Sequence, residues 1–215
     1  MGRYKEARPL LEQASQICRA LGDRASLAYN SMNLGEICLA TGDLRKARQW
    51  TEQALQENSS SQDMRGKILA LILLANVLLA MGDSPGADKR FNEASELALS
   101  LGLADQACES AVGLAACAIL QGQLDEARKY VNKAWDYLKE HGWTGMSSPG
   151  RVFRACAETF DALGEVENAQ AVLESGHQAL MEVADKINVP AWRQSFLENV
   201  PENRAVMEMW ECRKQ

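Results

Sequence analysis

Histidine is scarce. His141 and His177 are the only two in 215 residues, and neither stands in an H-x-x-x-H or H-E-x-x-H context that would build a metal site. The six cysteines, Cys18, Cys38, Cys108, Cys117, Cys156 and Cys212, contain no C-x-x-C pair. A zinc or disulfide framework needs tight, ordered spacing, so they are expected to be reduced thiols among apolar neighbours. No G-x-x-x-x-G-K-[ST] or G-x-G-x-x-G occurs, and the carboxylates are scattered rather than paired. With no nucleophile and base, metal set or phosphate cradle, the chain is read as a non-enzyme without a cofactor. An excess of positive charge is also missing. The net charge is -6 and the pI about 5.1, which gives no general pull on nucleic acid or anionic lipid. The clusters Arg45/Lys46/Arg48, Lys89/Arg90 and Arg128/Lys129 lie among acids and read as solvated helix faces. No apolar run reaches the roughly 20 residues that cross a bilayer. The longest, "ILALILLANVLLAM" from Ile68 to Met81, contains Asn76 and ends at Gly82-Asp83, as a buried helix would. The start, "MGRYKEARPLLEQ", carries no run of signal-peptide type, so a cytoplasmic protein without a membrane partner is expected.

What the chain does have is a repeat. Gly2/Ala7/Ala14, Gly42/Ala47/Ala54, Gly82/Ala87/Ala94 and Gly122/Ala127/Ala134 share their offsets at a period of 40, and Gly164/Ala169/Gly176 follows after 42. Between the glycines the apolar residues keep a helical period. Leu27, Leu34, Ile37 and Cys38 precede the break at Thr41-Gly42-Asp43, and Leu44, Ala47, Trp50, Thr51, Ala54 and Leu55 resume after it. Two amphipathic helices joined by a short turn result. Glycine closes the first helix in a left-handed conformation, and the aspartates Asp43 and Asp83 are placed to cap the second. Seven residues before each glycine stands another small residue: Gly35, Ala75, Ala115 or Ala157. Small side chains at matched offsets on both helices let the backbones approach closely.

In "MNLGEICLATGDLRKARQWTEQAL" the residues Leu34, Gly35, Gly42, Asp43, Leu44, Ala47 and Ala54 resemble the tetratricopeptide (TPR) pattern. The likeness covers about residues 2 to 185. The period departs from the family's usual length of about 34. In this respect the chain is similar to the long-repeat arrays at the C-terminus of large bacterial signalling proteins, such as maltose-activator-type LuxR regulators, STAND ATPases and cyclase or kinase fusions. The resemblance implies an all-α, right-handed TPR-like solenoid of antiparallel helix hairpins with a helical C-terminal cap. Its expected segments are 1–22, the second helix of a repeat that starts inside a longer array, four repeats at 23–62, 63–102, 103–142 and 143–185, and capping helices at 186–215.

Pro190 and Pro201 mark the starts of the capping helices, whose apolar faces carry Trp192, Phe196, Leu197, Val206, Met207 and Trp210. A solenoid's last repeat exposes an apolar flank, and these helices are expected to cover it. The linker Glu140 to Gly150, "EHGWTGMSSPG", reads as a loop whose Trp143 and Met146 tuck back into the stack. The stretch Glu57 to Asp63, "ENSSSQD", reads as a plain turn with serine caps.

The resemblance also implies a site. In a TPR stack the first helix of each hairpin lines a concave groove. The matching positions are Tyr29, Met32, Asn33 and Glu36 in the first full repeat, and Leu69, Ile72, Leu73, Asn76 and Leu79 in the second. Glu109, Val112, Gly113 and Ala116 follow in the third, and Arg151, Arg154, Glu158 and Asp161 in the fourth. The carboxylate clamp of the family's chaperone adaptors is not matched, because its places hold mostly Met, Leu, Ile and Val. An amphipathic helix or an extended apolar peptide suits such a groove, with Asn76 offering a backbone hydrogen bond. The competing reading packs these side chains within the superhelix or under a neighbouring domain. A protein or peptide partner, ligand sensing and homo-oligomerisation all follow from one or other arrangement.

Overall fold

The computed structural model describes residues 2–213, and among these the regular structure is eleven helices with no strand. They are α1 (Tyr4–Leu21), α2 (Arg24–Ala40), α3 (Leu44–Ser61), α4 (Met64–Ala80), α5 (Ser84–Ser100), α6 (Ala104–Leu120), α7 (Leu124–His141), α8 (Pro149–Ala162), α9 (Val166–Asp185), α10 (Pro190–Glu198) and α11 (Pro201–Arg213). Met1, Lys214 and Gln215, at the outer ends of the first and last expected segments, lie outside the described residues. The fold is an all-α array in which consecutive helices pair. It divides into two compact units, with the division inside α6: Tyr4–Ser110, and Ala111–Gln215 together with Met1–Arg3.

In the first unit α1 packs on α2, α2 on α3, α3 on α4 and α4 on α5, while α2 and α4 also touch. Each turn has one construction. At the end of α2, Gly42 adopts φ 79°, and the Asp43 N–H reaches back five residues to the Cys38 carbonyl at 2.9 Å. That bond needs the left-handed residue before it. The same reach-back joins Asp23 to Cys18, Asp63 to Asn58 and Asp83 to Leu78. The turns therefore recur every 20 residues, once per helix rather than once per hairpin. At one of them, Gln62 takes φ 58° where its counterparts are glycine. Helices α2 to α5 each open on the aspartate that closed the turn before them, whereas Leu103 closes the turn before α6. The carboxylates of Asp23, Asp43, Asp63 and Asp83 accept from the N–H of Ser26, Lys46, Gly66 and Gly86, satisfying donors that have no partner in the first turn.

The small residues do the packing expected of them. Ala47, Ala54, Ala87 and Ala94 are fully buried. A Cβ added to Gly35 would stand 2.7 Å from the Thr51 Oγ1, so α2 and α3 meet there only because Gly35 has no side chain. Helix α4 is apolar on nearly every side, and Ile68, Ala70 to Ala75, Val77 and Leu78 are buried. That is the pattern of a helix with neighbours all round. The stretch Glu57 to Asp63 differs from the expected turn. Helix α3 continues to Ser61, and the hydroxyls of Ser59 and Ser60 donate to the carbonyls of Leu55 and Gln56. Serine can bond its own helix four residues back as readily as it can cap one.

In the second unit α7 packs on α8 and α8 on α9, and α11 lies against both α8 and α9. The connection between α7 and α8 is long, running through Gly142 to Ser148. None of the N-caps Gln123, Ser148, Glu165 and Val189 caps a backbone N–H of its helix with its side chain, although Glu165 accepts from the Asn168 amide at 2.8 Å. Contacts between distant residues hold this unit. A Cβ on Gly176 would stand 2.8 Å from the Phe153 Cβ and 3.3 Å from Val206. Glycine thus lets α9 meet α8 and α11 together. His177 stacks on Trp210 with ring centroids 5.3 Å apart, and the Asn203 amide donates to the Phe196 carbonyl at 3.0 Å. In the same unit the Arg3 guanidinium lies 4.7 Å from the centroid of the Trp192 ring.

Candidate functional site

The first-helix positions of the first unit lie on α2 and α4, with Glu109 on α6. Tyr29 is 67% exposed, and Met32, Asn33, Glu36, Leu69, Asn76 and Leu79 are half-buried. Ile72, Leu73 and Glu109 are buried. Leu73 belongs to a core cluster with Cys38, Ala47 and Val77, against which Met32 and Trp50 pack. The side-chain amides of Asn33 and Asn76 donate to their own helices, to the carbonyls of Tyr29 at 3.1 Å and Ile72 at 2.8 Å. The accessible part of this face is therefore an exposed aromatic ring with three partly covered apolar side chains among amides and a carboxylate.

In the second unit, Val112 is buried, as is Gly113, while Ala116 is half-buried. The charged residues of α8 are engaged. The Arg151 guanidinium donates through Nε and Nη2 to the Glu202 Oε1 of α11, at 3.1 and 3.0 Å, with both side chains largely buried. Burial on its own pushes the Glu202 carboxyl up. The Arg151 charge, a backbone hydrogen bond and the more distant Arg154 outweigh it and leave the group below the usual glutamate range. Arg213 pairs with Asp161, and Arg154 reaches Glu158 at 3.4 Å. Arg151 and Asp161 thus tie α11 down, a role that only the folded chain reveals.

A site that the sequence did not announce lies between α7, α8 and α9. Trp135, Leu138, Lys139, Trp143, Phe153, Ser175, Gln178, Ala179 and Glu182 line a cavity of about 350 Å³. Trp143 comes from the long connection. It is half-buried and Met146 is buried, so both turn back onto the helices as expected. The glycine and proline of that connection were the available signal, but they mark a loop without saying what it encloses.

The family model for the MalT-like TPR region matches residues 1–144. The chain belongs to this family. Comparison with curated proteins gives no match. Among solved structures, BtubC (BKLC) from P. vanneervenii is similar with a TM-score of 0.65 over 99% of this chain and 91% of that one. At 15% identity that likeness speaks for the fold alone. A TPR array of this kind is a protein-interaction or scaffold module, and such domains are generally non-catalytic.

Other surfaces of this TPR chain are soon placed. Helix α1 leaves Leu10, Ile17 and Leu21 exposed along one stripe. Its counterpart in α3 to Leu10 is Trp50, half-buried with the Arg19 guanidinium 5.8 Å from its ring centroid. The basic clusters lie in surface ion pairs: Lys46 with Asp43, Arg48 with Glu52, Arg90 with Glu93, and Arg128 with Asp125 and Glu165. Cys38, Cys108, Cys117 and Cys156 are buried, and burial pushes the Cys38 thiol up. Cys18 is half-buried and Cys212 exposed. His141 stacks on Tyr137 at 4.5 Å. Among the described residues no cluster has the makings of a metal site, and no helix is long and apolar enough to cross a membrane.

Proposed function

We propose that the chain is a cytoplasmic, non-catalytic interaction module, the C-terminal TPR domain of a larger bacterial signalling or regulatory protein. In this reading an apolar or amphipathic peptide, or a segment of a neighbouring domain, seats on the first-helix face of α2 and α4. The observation that carries it is Tyr29: a large aromatic ring, 67% exposed, on a helix face whose equivalent in α4 presents Leu69. Aromatic side chains supply much of the binding energy of helix and peptide docking. Met32, Asn33, Glu36 and Asn76 flank the contact, while Ile72 and Leu73 of α4 are buried beneath it, and Glu109 and Val112 are the buried first-helix positions of α6. Arg151, Arg154 and Glu158 belong to the second unit and are assigned to its charged end. The test is fluorescence anisotropy with a panel of labelled amphipathic helical peptides. Tyr29→Glu and Leu69→Glu are each expected to weaken the best peptide about ten-fold or more, with helicity by circular dichroism unchanged. Binding that survives both substitutions removes this face from consideration.

The stripe Leu10, Ile17 and Leu21 favours a second reading, a homo-oligomerisation scaffold joined through α1. Light scattering decides it: a dimer that Ile17→Glu dissolves supports this reading, and a monomer at high concentration ends it.

A further inference from the structure

We propose that the cavity between α7 and α9 binds an organic cation, an alkylammonium or guanidinium on a short aliphatic stem. This goes beyond the peptide-binding face and does not depend on it. Two local features of the chain build the cavity. Trp135 stands where α1, α3 and α5 have Ser15, Leu55 and Ser95 at the same offset from the preceding glycine turn. Trp143 comes from a connection of seven residues, where the helices before it are joined by two or three. Two indoles, the Phe153 ring and Leu138 therefore stand together in a pocket whose remaining lining, Lys139, Ser175, Gln178, Ala179 and Glu182, is mostly polar. At about 350 Å³ it is at the small end of ligand sites, enough for one compact group.

Charge selects the occupant. The Lys139 Nζ lies 5.8 Å from the Trp135 ring centroid, so the indole face already attracts a cation. That ammonium is neutralised by Asp136, 2.8 Å away. Glu182, exposed at the rim, receives only a neutral partner, the Gln178 amide at 3.3 Å, and no cation among the described residues pairs with it. Lys139, Asp136 and Glu182 together leave one negative charge beside the aromatic walls. An anion would meet that charge, and a neutral ligand would leave it without a partner. A cation with an apolar stem satisfies both the carboxylate and the rings. A guanidinium suits the rim well, because it is weakly hydrated and flat enough to lie on an indole.

The probes are agmatine, a free cation, and N-acetyl-arginine methylamide, which mimics a residue within a peptide. Their neutral counterpart is N-acetyl-citrulline methylamide. Indole N–H resonances and tryptophan fluorescence of the whole chain report the titrations. Saturable shifts of the Trp135 and Trp143 signals are expected with the arginine probe, with citrulline at least about ten-fold weaker. Glu182→Gln, at an exposed position that spares the fold, is expected to weaken binding about three- to ten-fold. Trp143→Ala is expected to remove binding while leaving helicity intact. Stronger binding of agmatine identifies a small amine as the source, and stronger binding of the arginine amide a peptide side chain. Citrulline binding as well as arginine, or shifts indifferent to Glu182→Gln, overturns the proposal. Both outcomes are independent of the anisotropy measured on the α2 and α4 face.

Discussion

The first unit repeats one capping device through four helices, and the second unit drops it. From Asp23 to Asp83 an aspartate recurs every 20 residues, each closing one turn and capping the next helix. In the second unit the side chains of the N-caps Gln123, Ser148, Glu165 and Val189 cap no backbone N–H, and one connection grows long. Pairs distant in sequence compensate: Arg151 with Glu202, Arg213 with Asp161 and His177 with Trp210. Regular hairpins can be specified locally because each turn carries its own instructions. Where those lapse, tertiary contacts must fix the helices, and there the chain also acquires a cavity.

The largest expected effect contrasts two ion pairs. Arg151→Ala leaves the Glu202 carboxylate buried without its partner and is expected to cost about 3–5 kcal/mol in urea unfolding. Arg48→Ala breaks the exposed pair with Glu52 and should cost only about 0.3–0.5 kcal/mol. If both cost the same, burial is not what separates the units. The pH dependence follows from the direction of the Glu202 shift. Its carboxyl is lower in the folded chain than in the unfolded one, so its contribution is complete above the ordinary glutamate range of about pH 4. It fades as pH falls through the lowered folded value. Acid should therefore loosen α11, seen as a change in Trp210 fluorescence that Arg151→Ala shifts to higher pH.

The caps come next. Asp83→Ala should cost about 1 kcal/mol, whereas Gln123→Ala should be nearly silent, and Gln123→Asp should gain about 0.5–1 kcal/mol by giving α7 the device its predecessors have. Thermal unfolding of the three variants measures this, and a silent Asp83→Ala would show that the bond contributes nothing. A gain of the same order is expected at Gln62, among the described residues the one non-glycine in a left-handed turn. Gln62→Gly should stabilise by about 0.5–1 kcal/mol, the relief of the αL conformation less glycine's extra chain entropy.

Much of the fold could be read before any coordinate. The glycines 40 apart, the alanines at fixed offsets and the helical spacing of Leu27, Leu34 and Ile37 are local signals, and local geometry obeys them. The beat was in fact finer than it looked, because Gly22, Gly102 and Gly142 also fall on it while Gln62 hides it. Asp23 and Asp63 went unread as caps for the same reason, and Ser59 and Ser60 illustrate a residue whose two local bonds compete. The candidate site was less legible. Tyr29 and Leu73 occupy comparable first-helix faces, yet one ring is open and the other side chain is sealed among Cys38, Ala47 and Val77.

The sequence by itself determined which residues are helical, where the helices turn and that they pair as a TPR array. These depend on hydrogen bonds and backbone conformations within a few residues. Only the tertiary structure decided that Arg151 holds Glu202, that Ile72 and Val112 are buried, and that Trp135, Trp143 and Phe153 line one pocket. Those outcomes depend on how closely neighbouring helices approach and how far each is rotated, and no residue's spacing along the chain records that.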